Sequence, residues 1–309
     1  MDLPKTDGLY DPQFEQDSCG VGFIARLDGR QTQEVVRLAI QAVVNLSHRG
    51  AMDADAKTGD GAGILARLPR AFFVREARKL GLDLPGPDRL GVAVVFLPAD
   101  RDQAEAARRT FEQTFAARGL EVAAWRPVPV NPEVLGDKAR ATSPRIEQAL
   151  VLPAGPLAGL EYERRLYLAR KEAEAAFKAQ GLNVYIPSCS HRTIVYKGLL
   201  VAKQLAGFYT DLSDPDFASD FAILHQRYST NTFPTWPLAQ PFRFLAHNGE
   251  INTLTGNVNW MKAREPELAS PVWGEALGSL KPVVVPGGSD SAMLDNVLEL
   301  LVLSGRSIL

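Results

Sequence analysis

The chain has 309 residues, 46% of them apolar and 23% charged, with a formal net charge of −2. These proportions belong to an ordinary globular protein and exclude disorder or a fibrous fold, and neither the charge balance nor any lysine/arginine run offers a field for nucleic acid. No uninterrupted apolar run approaches the ~18 residues of a membrane span, and two cysteines, Cys19 and Cys189, cannot make a disulfide framework.

The first eighteen residues, MDLPKTDGLYDPQFEQDS, hold five acids and one lysine. They lack the basic start and apolar centre of a secretory signal, so the cytoplasm is the expected location. CGVGFIARL (19–27) then predicts a strand, with Cys19, Val21, Phe23 and Ala25 on one face and Gly20, Gly22 and Ile24 on the other. Two glycines weaken a strand and predict a close approach there. The stretch 32–50 has helical spacing through Val35, Leu38, Ala42, Val43 and Leu46, with Gly50 as its expected stop.

Strands are expected over 61–68, 89–97 and 121–130, the last with proline-marked edges. Helices are expected over 102–119 and 162–181, followed by a strand pair at 183–190 and 192–198. The runs 220–230 and 242–250 read as apolar strands that end in polar clusters. A final helix spans 289–305, with Ser289 or Asp290 as N-cap and Gly305 at its stop. Adjacent pairs of strands predict mixed or antiparallel sheets covered by helices, in one domain after a leader.

Polar residues gather in four places: HRGAMDADAKTGDGAG (48–63), HQRYSTNTFPTWP (225–237), HNGEINTLTGN (247–257) and GGSDSAMLDN (287–296). Any one of these reads as a turn, but four together at the ends of apolar segments predict a site. TGDGAG is a poor phosphate cradle, because Asp60 would repel the anion and no Lys-Ser/Thr follows. His225 and His247 lack metal-ligand spacing, and a structural histidine bonded to backbone is the better reading of each. Cys19 with His247 and Asn248 would resemble a papain-like pair, but Gly20 in a strand replaces the helix start that arrangement uses. If the leader is cut away, the α-amine of Cys19 would titrate at about 7.7–8 and could serve as base to its own thiol. Cys189 keeps a structural reading.

The runs DSCGVGFIA, LSHRGAMDADAKTGDGAGIL, HQRYSTNTFPTWPLAQPFRFLAHNGEINTLTGNVNW and GGSDSAMLDNVLELL resemble the class II (N-terminal-nucleophile) glutamine amidotransferases. The long run to Trp260 is similar, among these, to the glutaminase region of glutamate synthase large subunits. The resemblance covers nearly the whole chain. It implies an α+β fold, a four-layer α/β/β/α sandwich of two mainly antiparallel sheets. It also implies a propeptide at 1–18 removed on maturation, and a type-2 amidotransferase domain over 19–309 that is incomplete at its C-terminal end.

By that resemblance Cys19 attacks the side-chain amide of L-glutamine, and the thioester yields glutamate and ammonia for glutamate synthesis from 2-oxoglutarate. Asn248 and Gly249 hold the oxyanion, Arg227 and Thr230 take the substrate carboxylate, and Asp290 takes its ammonium. His48 and Arg49 support the site. Without the resemblance, Arg227 would serve equally as an ion-pair partner and Asp290 as a helix cap. This chain is expected to bind no cofactor or metal. FMN and an iron–sulfur cluster are implied for the rest of a parent enzyme, whose other domains and a small electron-transfer subunit are the implied partners, with no nucleic acid and no membrane. Another class II amidotransferase, or a non-catalytic binding module of the same fold, are the alternatives.

Overall fold

The computed structural model of the chain describes residues 20–84, 86–227 and 232–307. In chain order its elements are β1 (Val21–Ala25), α1 (Gln33–Asn45), β2 (Ala62–Arg67), α2 (Arg70–Lys79), β3 (Gly91–Leu97), α3 (Arg101–Ala116), β4 (Leu120–Pro127) and α4 (Asp137–Ala141). There follow β5 (Arg145–Pro153), α5 (Gly159–Ala179), β6 (Tyr185–Ser190), β7 (Thr193–Gly198), α6 (Leu205–Phe208), β8 (Phe221–Gln226), α7 (Leu254–Arg264) and α8 (Asp290–Leu303). The strands form two four-stranded sheets, ordered β1-β8-β2-β7 and β4-β5-β3-β6, and every neighbouring pair is antiparallel. Two antiparallel sheets flanked by helices agree with the sandwich expected from the resemblance.

Strand β3 explains how the layers are joined. Its run VAVVFL is apolar on both faces because both are covered. Val92, Val94 and Phe96 enter the largest core with Ile64, Tyr196 and Leu224 of the first sheet and with α1 and α2. Ala93, Val95 and Leu97 face the other way, against Phe111 and Phe115 of α3 and Leu166 and Ala173 of α5. Helix α3 starts where Asp100 accepts a bond from the Gln103 N–H, and the chain turns at Gly119 with φ of +68°.

Helix α8 is anchored twice. Leu300 and Leu303 pack with Tyr167 and Leu168 of α5, and Glu299 accepts from both Arg170 (2.5 Å) and Arg243 (3.2 Å). These charges are buried, and buried charges require such partners.

Three expectations change. Helix α1 ends at Asn45, a tighter turn covers Ser47–Arg49, and Gly50 is extended (φ −103°, ψ 151°) rather than left-handed. A Cβ at Gly50 would lie 2.1 Å from Gln226 Nε2, so this glycine serves packing and not helix termination. The buried stripe of α1 is Val35, Val36, Ala39 and Val43, which leaves Leu38 at 38% exposure. The segment 242–250 forms no strand; side chains take the place of a ladder partner, Asp295 receiving the Phe244 N–H at 2.7 Å.

Candidate active site

The site begins where β1 and β8 pair. The Gln226 N–H donates to Gly20 O at 2.7 Å, and the Arg227 N–H donates to Gly61 O at 2.8 Å, so the end of β8 is fixed on both sides. A Cβ on Gly20 would lie 2.3 Å from Gln226 O and 2.9 Å from Asn248 Oδ1. The close approach expected of the β1 glycines is therefore real at Gly20. Gly22 meets only the Leu224 side chain, at an ordinary 3.4 Å.

A cavity of about 560 Å³ opens beside this point, and His48, Arg49, Arg227, Asn248, Gly249 and Asp290 all line it. Segments 48–49, 225–227, 247–251 and 288–291 thus converge, although they are far apart in sequence. Cys19 and Thr230 lie outside the described residues.

Arg227 is 6% exposed. Its Nη2 donates to Thr232 Oγ1 at 2.7 Å, while its Nη1 is buried with no partner among the described residues. Burial lowers the guanidinium pKa, and the carboxylates of Asp60 and Asp290 oppose that shift. A desolvated cation with an unused donor is a receptor for an anion of matching shape. Asp290 is not the cap of α8; Ser289 is, through the Ala292 N–H at 3.2 Å. The Asp290 carboxylate instead receives the Ile251 N–H at 2.8 Å and the Ser291 N–H at 2.6 Å. It ties the loop after Gly249 to the start of α8.

The histidines divide. His225 bonds a backbone carbonyl, that of His247, through Nε2 at 3.3 Å, and burial lowers its pKa to about 4, so it is neutral near pH 7. His247 departs from the expectation: its Nδ1 faces Ser291 Oγ at 3.3 Å. His48 Nδ1 donates to Asn45 O at 3.1 Å. Cys189 lies in the second core, where burial pushes its thiol well above the ordinary range. Among the described residues no group of three or more His, Cys, Asp or Glu could hold a metal ion, and no helix is long and apolar enough to cross a membrane.

Gln240 also lines the cavity, and sequence reading missed it. It sits in PLAQPF, where two prolines signal a turn and nothing marks the glutamine.

The profile of class-II glutamine amidotransferases matches residues 19–309. The chain is 50% identical to the glutamate synthase (NADPH) large chain of Azospirillum brasilense, over 98% of this chain and 20% of that one. The corresponding large chain of Bacillus subtilis is 44% identical over 98% of this chain and 20% of its own length. Ferredoxin-dependent glutamate synthase 2 of Synechocystis sp. is 48% identical over 95% of this chain and 19% of its own. The chain therefore spans about a fifth of the length of these relatives.

Proposed function

The chain belongs to the class-II glutamine amidotransferases, and from that premise we propose that it hydrolyses L-glutamine to glutamate and ammonia through a thioester at Cys19. The observation that carries the proposal is the convergence of Arg227, Asp290 and the Asn248–Gly249 pair on one cavity, with Asn248 close against Gly20, the residue before β1. In this reading residues 1–18 are removed, and Cys19 opens a mature amidotransferase domain.

A cysteine thiol is only a few per cent thiolate near pH 7, so it needs a base. The freed α-amine of Cys19, titrating at about 7.7–8, takes the thiol proton as sulfur adds to the side-chain amide carbon. The Asn248 amide and the Gly249 N–H donate to the oxyanion that forms. The resulting ammonium returns its proton to the leaving nitrogen, the C–N bond breaks, and ammonia departs. Water then adds to the thioester with the amine again as base, which releases glutamate and restores the thiol.

Arg227, with Thr230, binds the substrate carboxylate, and Asp290 binds its ammonium. His48 and Arg49 support the wall. The named relatives are glutamate synthases. By that likeness the ammonia is assigned to glutamate synthesis from 2-oxoglutarate in a parent enzyme. FMN and an iron–sulfur cluster would belong to its other domains, and a small electron-transfer subunit is a further partner.

Intact mass of the native protein together with a diazoketone analogue of glutamine tests the reading. The expected result is a mature start at Cys19 and labelling at that residue. An active enzyme that retains residues 1–18, or labelling at Cys189, overturns it.

A further inference from the structure

We propose that Gln240 is a positioning residue whose carboxamide clasps the backbone of His247 and so fixes where Asn248 and Gly249 stand. The inference rests on the assignment of those two residues as oxyanion donors. Gln240 is 6% exposed. Its Nε2 donates to His247 O at 2.9 Å, and its Oε1 accepts the His247 N–H at 2.8 Å. One side chain thus satisfies both backbone groups of the residue immediately before Asn248, as a neighbouring strand would. The His225 imidazole reaches the same carbonyl at 3.3 Å.

The clasp has a firm base. At Gly63 of β2 a Cβ would lie 2.5 Å from Gln240 O, so the main chain at 240 rests directly on the sheet. Lys197 of β7 donates to Pro237 O at 2.8 Å from below the same segment. Beyond it the Phe242 N–H donates to Leu245 O at 2.8 Å and turns the chain back. The segment 242–250 has no ladder of its own, while Asn248 and Gly249 are exposed on the cavity. They lie between residue 247, which Gln240 holds, and residue 251, which Asp290 holds, so the clasp sets one of the two ends that place them. Hydrogen-bond donors act on an oxyanion only when they are preorganised to it, and a displacement near 1 Å costs about 100-fold in rate.

The test uses Gln240→Leu, which removes both bonds at similar volume. It also uses Gln240→Glu, which keeps an acceptor for the His247 N–H but sets a carboxylate against its carbonyl. Turnover is expressed per cysteine titrated with the diazoketone analogue, so a misfolded fraction drops out. Both variants should lose about 10- to 100-fold in kcat, with the KM for glutamine changed by less than about twofold. In an Asn248→Ala background, Gln240→Leu should cost clearly less than it does in wild type, because the share of its effect that passes through Asn248 is gone and only that through Gly249 remains.

A kcat per titrated site equal to wild type, or a loss that adds in full to that of Asn248→Ala, overturns the inference. A wild type that neither hydrolyses glutamine nor labels at Cys19 overturns the reading beneath it, which is a distinguishable result.

Discussion

Arg227→Lys should weaken glutamine binding far more than it slows turnover. Nη2 of Arg227 is engaged by Thr232 Oγ1 at 2.7 Å, and buried Nη1 is the donor left for a ligand. A lysine ammonium can address one of these directions but cannot reproduce the planar fork. A hydrogen bond to a charged group is worth about 1.5–3 kcal/mol, which corresponds to a rise in KM of roughly 10- to 150-fold. The assay is steady-state ammonia release against glutamine and against its α-amide, which lacks the carboxylate. Wild type should discriminate strongly between the two, and the variant should have lost most of that discrimination. Asn248→Ala provides the contrast, with a loss of about 10²–10³ in kcat and a smaller effect on KM. A fall in kcat at constant KM for Arg227→Lys, or an equal penalty against the α-amide, would refute the carboxylate assignment.

Glu163 is held by Ser190 Oγ (2.7 Å) and the His191 N–H (2.8 Å), and burial raises its carboxyl to about 7. Its contribution to stability is thus complete below the unfolded value of about 4.3 and is lost as pH rises through about 7. Glu163→Gln should flatten that decline and be the more stable form near pH 8 by up to about 3–4 kcal/mol; an unchanged slope of Tm against pH would clear Glu163 as its source. Cys189, buried with its thiol pushed up, should react with iodoacetamide only after unfolding, and Cys189→Ser should leave hydrolysis intact; rapid alkylation of the native protein would contradict this. Gly63→Ala would set a Cβ 2.5 Å from Gln240 O and 2.8 Å from Tyr196 O. The overpacking should cost about 1–3 kcal/mol, read as a lower urea midpoint at constant m-value.

The parts of the molecule that were legible in the sequence are those where periodicity and packing agree. β2, β3, α3, α5, β6 and β7 carry an apolar pattern that matches the face they bury, while α8, which buries Ser291, Asp295 and Glu299 beside Leu300 and Leu303, is marked by Ser289 and Gly305 at its ends as capping chemistry requires. Helix α2 was missed because RAFFVREARK is half charged, yet Phe72 and Phe73 alone suffice to seat it in the core. Helix α7 was missed because it buries no residue and has no stripe to find. The strand expected over 242–250 failed for a different reason: FRFLAHNGE is apolar enough for a sheet, but Asp295 and Gln240 occupy its backbone groups. Neither contact follows a strand period: Gln240 acts from seven positions away and Asp295 from about fifty, so neither leaves a pattern in the run itself. The site was legible as clusters of polar residues, while its geometry, and Gln240 within it, was not.

The cavity joins segments that are translated far apart in time, and that has a consequence for biosynthesis. About 270 residues separate Gly20 from Asp290. At translation rates of about 5–20 residues per second, roughly 15–55 s pass between the emergence of the two. Throughout that interval the carboxylate that receives the Ile251 N–H does not exist, and the loop bearing Asn248 has no α8 to dock on. A cysteine near the start of the chain therefore leaves the ribosome as an unassisted thiol. On the proposed mechanism, hydrolysis can begin only once α8 has been made and seated, so glutamine is not consumed before Asp290 has emerged.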